Sequence, residues 1–214
     1  QVQPAVDLAA GEERTVLLDH AWPSPRLWSP DNPHLYRLRT VVADGDERET
    51  RFGFRELWVD GDQVILNGTP IHLRGTAAHP FVSGAEDIQS AETARRYLQK
   101  AKDGHNIIVR LHAQPWPSVW YDAADEVGLL VVWESAYWCN STNYRLEDPR
   151  FWANFREHLA GQMRLHRNHP SVVIWSLENE LLLCSGRQEG ATPRMRTAEA
   201  ELAALVDDVR SLDP

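Results

Sequence analysis

HPSVVIWSLENE, residues 169–180, runs from an apolar stretch directly into two carboxylates that flank an asparagine. Val172, Val173, Ile174 and Trp175 are β-branched and aromatic with no polar interruption, the composition of a strand buried on both faces, as in a parallel sheet. In parallel α/β architectures the carboxyl ends of the strands carry the chemistry, so Asn179 and Glu180 stand where functional groups are expected.

Three segments upstream repeat the pattern of an apolar strand followed by a helical periodicity. PIHLRG (70–75) leads to a helix capped near Ser90, with Ala94, Tyr97, Leu98 and Ala101 on one face. NIIVRLH (106–112) leads to a helix from Ser118 that stops at Gly128, a natural left-handed terminator. LLVVWES (129–135) is followed by the cap and first-turn pair Asp148-Pro149, which opens a helix with Phe151, Phe155, Leu159 and Met163 inward. After residue 180 a polar loop precedes a helix from about Thr197, with Leu202, Leu205, Val206, Val209 and Leu212 on its apolar face and Glu199, Glu201, Asp207 and Asp208 solvated. The expectation is four parallel strands near 70–74, 107–111, 129–133 and 172–177, joined by right-handed crossovers. That topology gathers His79, Arg110, His112, Glu134, Asn179 and Glu180 on one rim. No glycine-rich phosphate loop follows any of these strands, which argues against a nucleotide-binding sheet.

The first 60 residues read differently. RTVLLDH (14–20), HLYRLRTVVADGDERETRFGF (34–54) and ELWVDGDQVILNG (56–68) are short alternating runs, with turn pairs at Asp44-Gly45, Asp60-Gly61 and Asn67-Gly68. This is the pattern of antiparallel hairpins.

Composition narrows the partners. A formal net charge of −9 disfavours nucleic acid and anionic membrane surfaces, and no run of about 18 apolar residues is present to span a bilayer. The opening QVQPAVDLAAGEERT has neither the basic nor the apolar region of a targeting segment, and no compartment is assigned. Cys139 and Cys184 are too few for a disulfide framework and lack metal-ligand spacing, so they read as buried or idle thiols. Nine tryptophans suit stacking on sugar rings or a large core equally well.

LWSPDNPHLYRL, FGFRELWVDGDQVILNGTPIHLRGTAAH, NIIVRLHAQPWPSVWYDAADEVGLLVVWES and HPSVVIWSLENE occur in this order between Leu27 and Glu180. Together they resemble the consecutive signatures of glycoside hydrolase family 2, which includes β-galactosidases, β-glucuronidases and β-mannosidases. The resemblance implies the end of an immunoglobulin-like β-sandwich over residues 1–60. It also implies the first half, four βα units, of a (β/α)8 TIM barrel over 61–214. The chain would be a central fragment of a retaining exo-β-glycosidase, β-galactosidase-like in substrate, with its nucleophilic glutamate outside the sequence. A glucuronidase, a mannosidase, a catalytically silent carbohydrate-binding fragment and a protein-binding adaptor are the alternatives.

By the same resemblance Glu180 is the general acid/base and Asn179 donates to the sugar 2-hydroxyl. Desolvation at the strand end would help Glu180 hold its proton. His79, Arg110, His112, Glu134 and Trp138 would line the sugar site, with structural pairing to Arg110 an equal reading for Glu134. Trp116 and Tyr137 would be further platforms or core, and Glu178 would point away by strand alternation. The chain departs from the family in TAAHPF (76–81), where Ala77 and Pro80 replace the asparagine and acid of Asn-x-His-Glu. ESAYWCNSTNY (134–144) also lacks the magnesium-binding Glu-x-His of some β-galactosidases. The expected partner is therefore a carbohydrate with no metal and no cofactor, and homo-oligomerisation is an open expectation.

Overall fold

A computed structural model describes residues 5–42, 45–80, 87–138, 144–180 and 193–213. Cys139, Cys184, Asp44 of the first expected turn and most of the loop after residue 180 lie outside the described residues. Strands β1 (Tyr36–Val41) and β2 (Glu47–Phe52) form an antiparallel hairpin. Strands β3 (Leu57–Asp60), β4 (Gln63–Leu66) and β5 (Thr69–Ile71) form a second antiparallel sheet. Four parallel strands follow in the order β6 (Gly75–Ala78), β7 (Ile108–Leu111), β8 (Leu130–Glu134) and β9 (Val172–Ser176). They alternate with α1 (Ala91–Asp103), α2 (Ser118–Val127) and α3 (Pro149–His166), and α4 (Pro193–Leu212) comes last. The parallel, sequential strand order with helices on one side is that of half a (β/α)8 barrel.

The helix boundaries follow from their caps. The Ser90 hydroxyl accepts from the Thr93 N–H at 3.2 Å, Asp148 accepts from the Arg150 N–H at 3.0 Å, and Gly128 ends α2 at φ 79°. α4 packs Leu205 inward, whereas Val206, expected on the apolar face, is exposed. Two of its acids, expected to be solvated, are paired instead: Glu201 and Asp208 both bind Arg156 of α3, at 2.7 and 3.1 Å.

Three expectations for strands are corrected. Pro70 and Ile71 pair antiparallel with β4, and the first parallel strand begins at Gly75. Proline cannot donate to a sheet ladder and sits in β5, which is an edge strand. Residues 14–20 form no strand; Val16, Leu17 and Leu18 are exposed and have no strand partner among the described residues. The last barrel strand is not enclosed on both sides either, since Ile174 is 38% exposed.

The core is divided by the parallel sheet. Val109, Leu111, Val131, Trp133 and Val172 pack against Leu98, Trp120, Tyr121, Leu159 and Met163 of the helices. On the other side Ile108 and Leu130 meet Trp28, which arrives from the β-sandwich portion and is fully buried. The Trp28 indole N–H donates to the Asp125 carbonyl at 2.9 Å, so its one polar atom is satisfied at the barrel floor.

Candidate active site

Alternation along β7 and β8 decides which polar residues reach the open rim. Val109 and Val131 face the helices, so Arg110 and Glu134 fall on the opposite, inner face. A register shift between Val131 and Val132 keeps β9 in step beyond it, pairing Trp133 with Trp175 and Glu134 with Ser176. β9 ends at Ser176, so strict alternation does not extend to Glu178, which is half-buried.

Past the strand ends, the chains continue side by side. Ser135 N–H donates to the Ser176 carbonyl at 3.0 Å, and the Ser135 hydroxyl to the Leu177 carbonyl at 2.6 Å. The Asn179 N–H donates to the Tyr137 carbonyl at 2.9 Å, next to a bridge between Trp138 and Asn179. This extension fixes the Asn179 backbone one residue before Glu180, whose φ of 57° turns the chain away. Ser135 and Tyr137 thus hold the site together, and only the polar sequence ESAY beyond an apolar strand signalled them.

The side chains converge on Arg110. Its Nε and Nη2 donate to the two Glu134 oxygens at 3.0 and 2.5 Å, and Nη2 also donates to Asn179 Oδ1 at 2.5 Å. Glu134 is fully buried and Asn179 is 4% exposed. Because guanidinium only donates, the Asn179 oxygen must face Arg110, leaving its Nδ2 directed elsewhere. That Nδ2 is buried and has no partner among the described residues. His112 Nδ1 lies 3.5 Å from Glu134, and the His112 ring stands 5.1 Å from that of His79.

The expected residues therefore cluster, with differences. Glu180 is exposed, so the described residues supply none of the desolvation anticipated at the strand end. Trp138 is 45% exposed beside Asn179, open to a ligand. Trp116 and Tyr137 are buried, Trp116 donating to the His112 carbonyl at 3.2 Å and Tyr137 packed among Tyr144, Phe151, Trp152 and Phe155; both belong to the core.

One group of metal-ligand type occurs among the described residues, Asp122, Asp125 and His169, at the opposite end of the strands. Its carboxylates are already engaged: Arg51 donates to Asp122 at 2.5 Å, and Asp125 takes the Ser171 N–H at 3.1 Å and pairs with His169 at 2.6 Å.

The family model described as "Glycosyl hydrolases family 2, TIM barrel domain" matches residues 57–214, and that described as "Glycosyl hydrolases family 2" matches residues 2–55. The chain is 29% identical over 182 residues to a beta-galactosidase of Leuconostoc mesenteroides, covering 82% of this chain and 18% of that protein. It is 32% identical over 197 residues to a putative beta-glucuronidase of Formosa agariphila, covering 89% and 23%. The crystal structure of a beta-glucuronidase of Parabacteroides merdae superposes with a TM-score of 0.73 at 29% identity, covering 88% of this chain and 23% of that one. The chain thus spans less than a quarter of each of these relatives.

Proposed function

The chain belongs to glycosyl hydrolase family 2, and from that premise we propose that the protein is a retaining exo-β-glycosidase, β-galactosidase-like in substrate, whose acid/base half resides in this chain. A domain division near residue 60, separating sandwich from barrel, is part of the same reading. The observation that carries it is the Asn179 carboxamide, buried and turned by Arg110, whose Nδ2 has no partner among the described residues, one residue before an exposed glutamate.

In this reading the sugar sits over the rim with its 2-hydroxyl accepting from Asn179 Nδ2, a bond that strengthens as charge develops at the anomeric carbon. Glu180 protonates the departing oxygen, then removes a proton from the water that hydrolyses the glycosyl-enzyme. A second carboxylate, about 5–5.5 Å from the first in retaining enzymes, forms that intermediate and is not assigned to this chain. His79 and His112 contact sugar hydroxyls, and Trp138 offers a stacking face.

Glu180→Ala in the complete gene product tests the assignment. Aryl β-galactosides with poor leaving groups should slow by ~10²–10⁴-fold, because their departure needs a proton. Glycosylation by a dinitrophenyl glycoside should change little. Azide should restore turnover and give a β-glycosyl azide. Equal loss on all leaving groups, with no azide product, would remove Glu180 from this role. The relatives named as beta-glucuronidases favour a second reading, hydrolysis of β-glucuronides; matched aryl galactosides, glucuronides and mannosides separate the possibilities by kcat/KM.

A further inference from the structure

Burying a carboxylate is costly unless both its oxygens are matched, and Glu134, fully enclosed, is matched by the guanidinium fork of Arg110. Enclosure also prevents Glu134 from touching a sugar, so any effect it has on the reaction must pass through another residue. The path is visible, since the Arg110 Nη2 that binds Glu134 also binds Asn179 Oδ1. The Arg110 side chain is 39% exposed and unable to anchor itself by burial; its orientation comes from the fork. The Asn179 main chain is fixed independently through Tyr137, which leaves rotation of the carboxamide as the remaining freedom.

We infer that Glu134 is a positioning residue: acting through Arg110, it locks the Asn179 carboxamide with Oδ1 inward and Nδ2 toward the rim. The inference rests on the reading of Asn179 as the 2-hydroxyl donor only for its consequence in turnover, not for the lock itself. A free carboxamide would present oxygen and nitrogen to the rim in turn. Locked, it presents a donor only, and the 2-hydroxyl meets a group that need not reorganise. His112 Nδ1, 3.5 Å from Glu134, borders the same carboxylate without replacing the fork.

Glu134→Gln keeps shape but leaves one acceptor where the fork needs two. In the 214-residue chain, the 15N side-chain amide pair of Asn179 is identified by its loss in Asn179→Asp. This pair should move toward the position of an unconstrained asparagine in Glu134→Gln, while backbone signals of β7–β9 stay in place. Should Glu134→Gln fail to fold, Arg110→Lys opens the fork from the other side and should give the same shift. An Asn179 pair unmoved in a folded variant overturns the lock.

In the complete gene product, the preference in kcat/KM for an aryl β-glycoside over its 2-deoxy counterpart should fall by ~10- to 100-fold in Glu134→Gln, matching Asn179→Ala. Equal loss on both substrates would mean a merely structural role and overturns the inference. If Asn179→Ala itself leaves the preference intact, the assignment of Asn179 to the 2-hydroxyl fails, and the amide signals still decide the lock.

Discussion

At the scale of single residues, the groups away from the rim carry a pH dependence of their own. His166 is 1% exposed at the end of α3, with Tyr121 4.2 Å and His169 5.7 Å from it between ring centres. Burial first, and the neighbouring His169 second, lower its pKa from 6.5 to about 4. The unfolded chain therefore binds a proton that the folded chain refuses. The stability contribution is whole above pH 6.5 and is lost as pH falls toward 4. At 1.36 kcal/mol per unit the loss by pH 5 is about 2 kcal/mol. Urea midpoints at pH 7.5 and 5 should separate by more in the wild type than in His166→Gln; equal separation would show that His166 does not report this proton. An apolar strand running into charge marked Asn179 and Glu180 as candidates in the sequence, and the roles proposed for them come from the family resemblance. For Glu134 the sequence left two equal readings, lining the sugar site and pairing with Arg110. That pairing joins positions 24 residues apart, and its direction depends on strand alternation and on which atoms of a guanidinium are used.

At the scale of elements, helices were more legible than strands. Caps such as Ser90, Asp148 and Gly128 are local signals, whereas a strand is defined by its partner. Gly75-Thr76-Ala77-Ala78 has no β-branched run to announce it, and its first residue is small for a packing reason. A Cβ on Gly75 would lie 2.5 Å from Ile108 Cγ2 and 2.6 Å from the Ile108 carbonyl oxygen. β6 therefore approaches β7 more closely than any larger side chain permits. Gly75→Ala should destabilise the fold by about 1–3 kcal/mol, the usual range for overpacking, read as a lower denaturation midpoint with unchanged slope. No change would mean that β6 can withdraw from β7 at no cost. The neighbouring PIHLR segment attracted the strand assignment because it is more apolar, yet Pro70 confines it to the edge of the sandwich-side sheet.

At the scale of the whole molecule, the sandwich and barrel portions are joined by side chains that satisfy each other's backbone. Arg55 donates to the Pro170 and Val172 carbonyls at 3.2 and 2.6 Å, and Lys102 donates to the Pro30 carbonyl at 2.6 Å. Arg51 binds Asp122 and Glu126 across the same junction. The 214-residue polypeptide, with one proposed catalytic carboxylate on an open rim, should give no turnover of an aryl β-glycoside above buffer, because covalent catalysis needs a second. Turnover by the purified monomer would show that another group in this chain serves as nucleophile. Trp28 binds these portions most deeply, and its partner carbonyl lies 97 positions later in the chain. A ribosome adding ~5–20 residues per second delivers that partner roughly 5–20 s after the indole. Throughout that interval a large aromatic surface waits beside half-formed hairpins, with no floor to close. A residue that joins the two portions of the finished fold is thus, in the nascent chain, an exposed invitation to a chaperone or to a wrong neighbour.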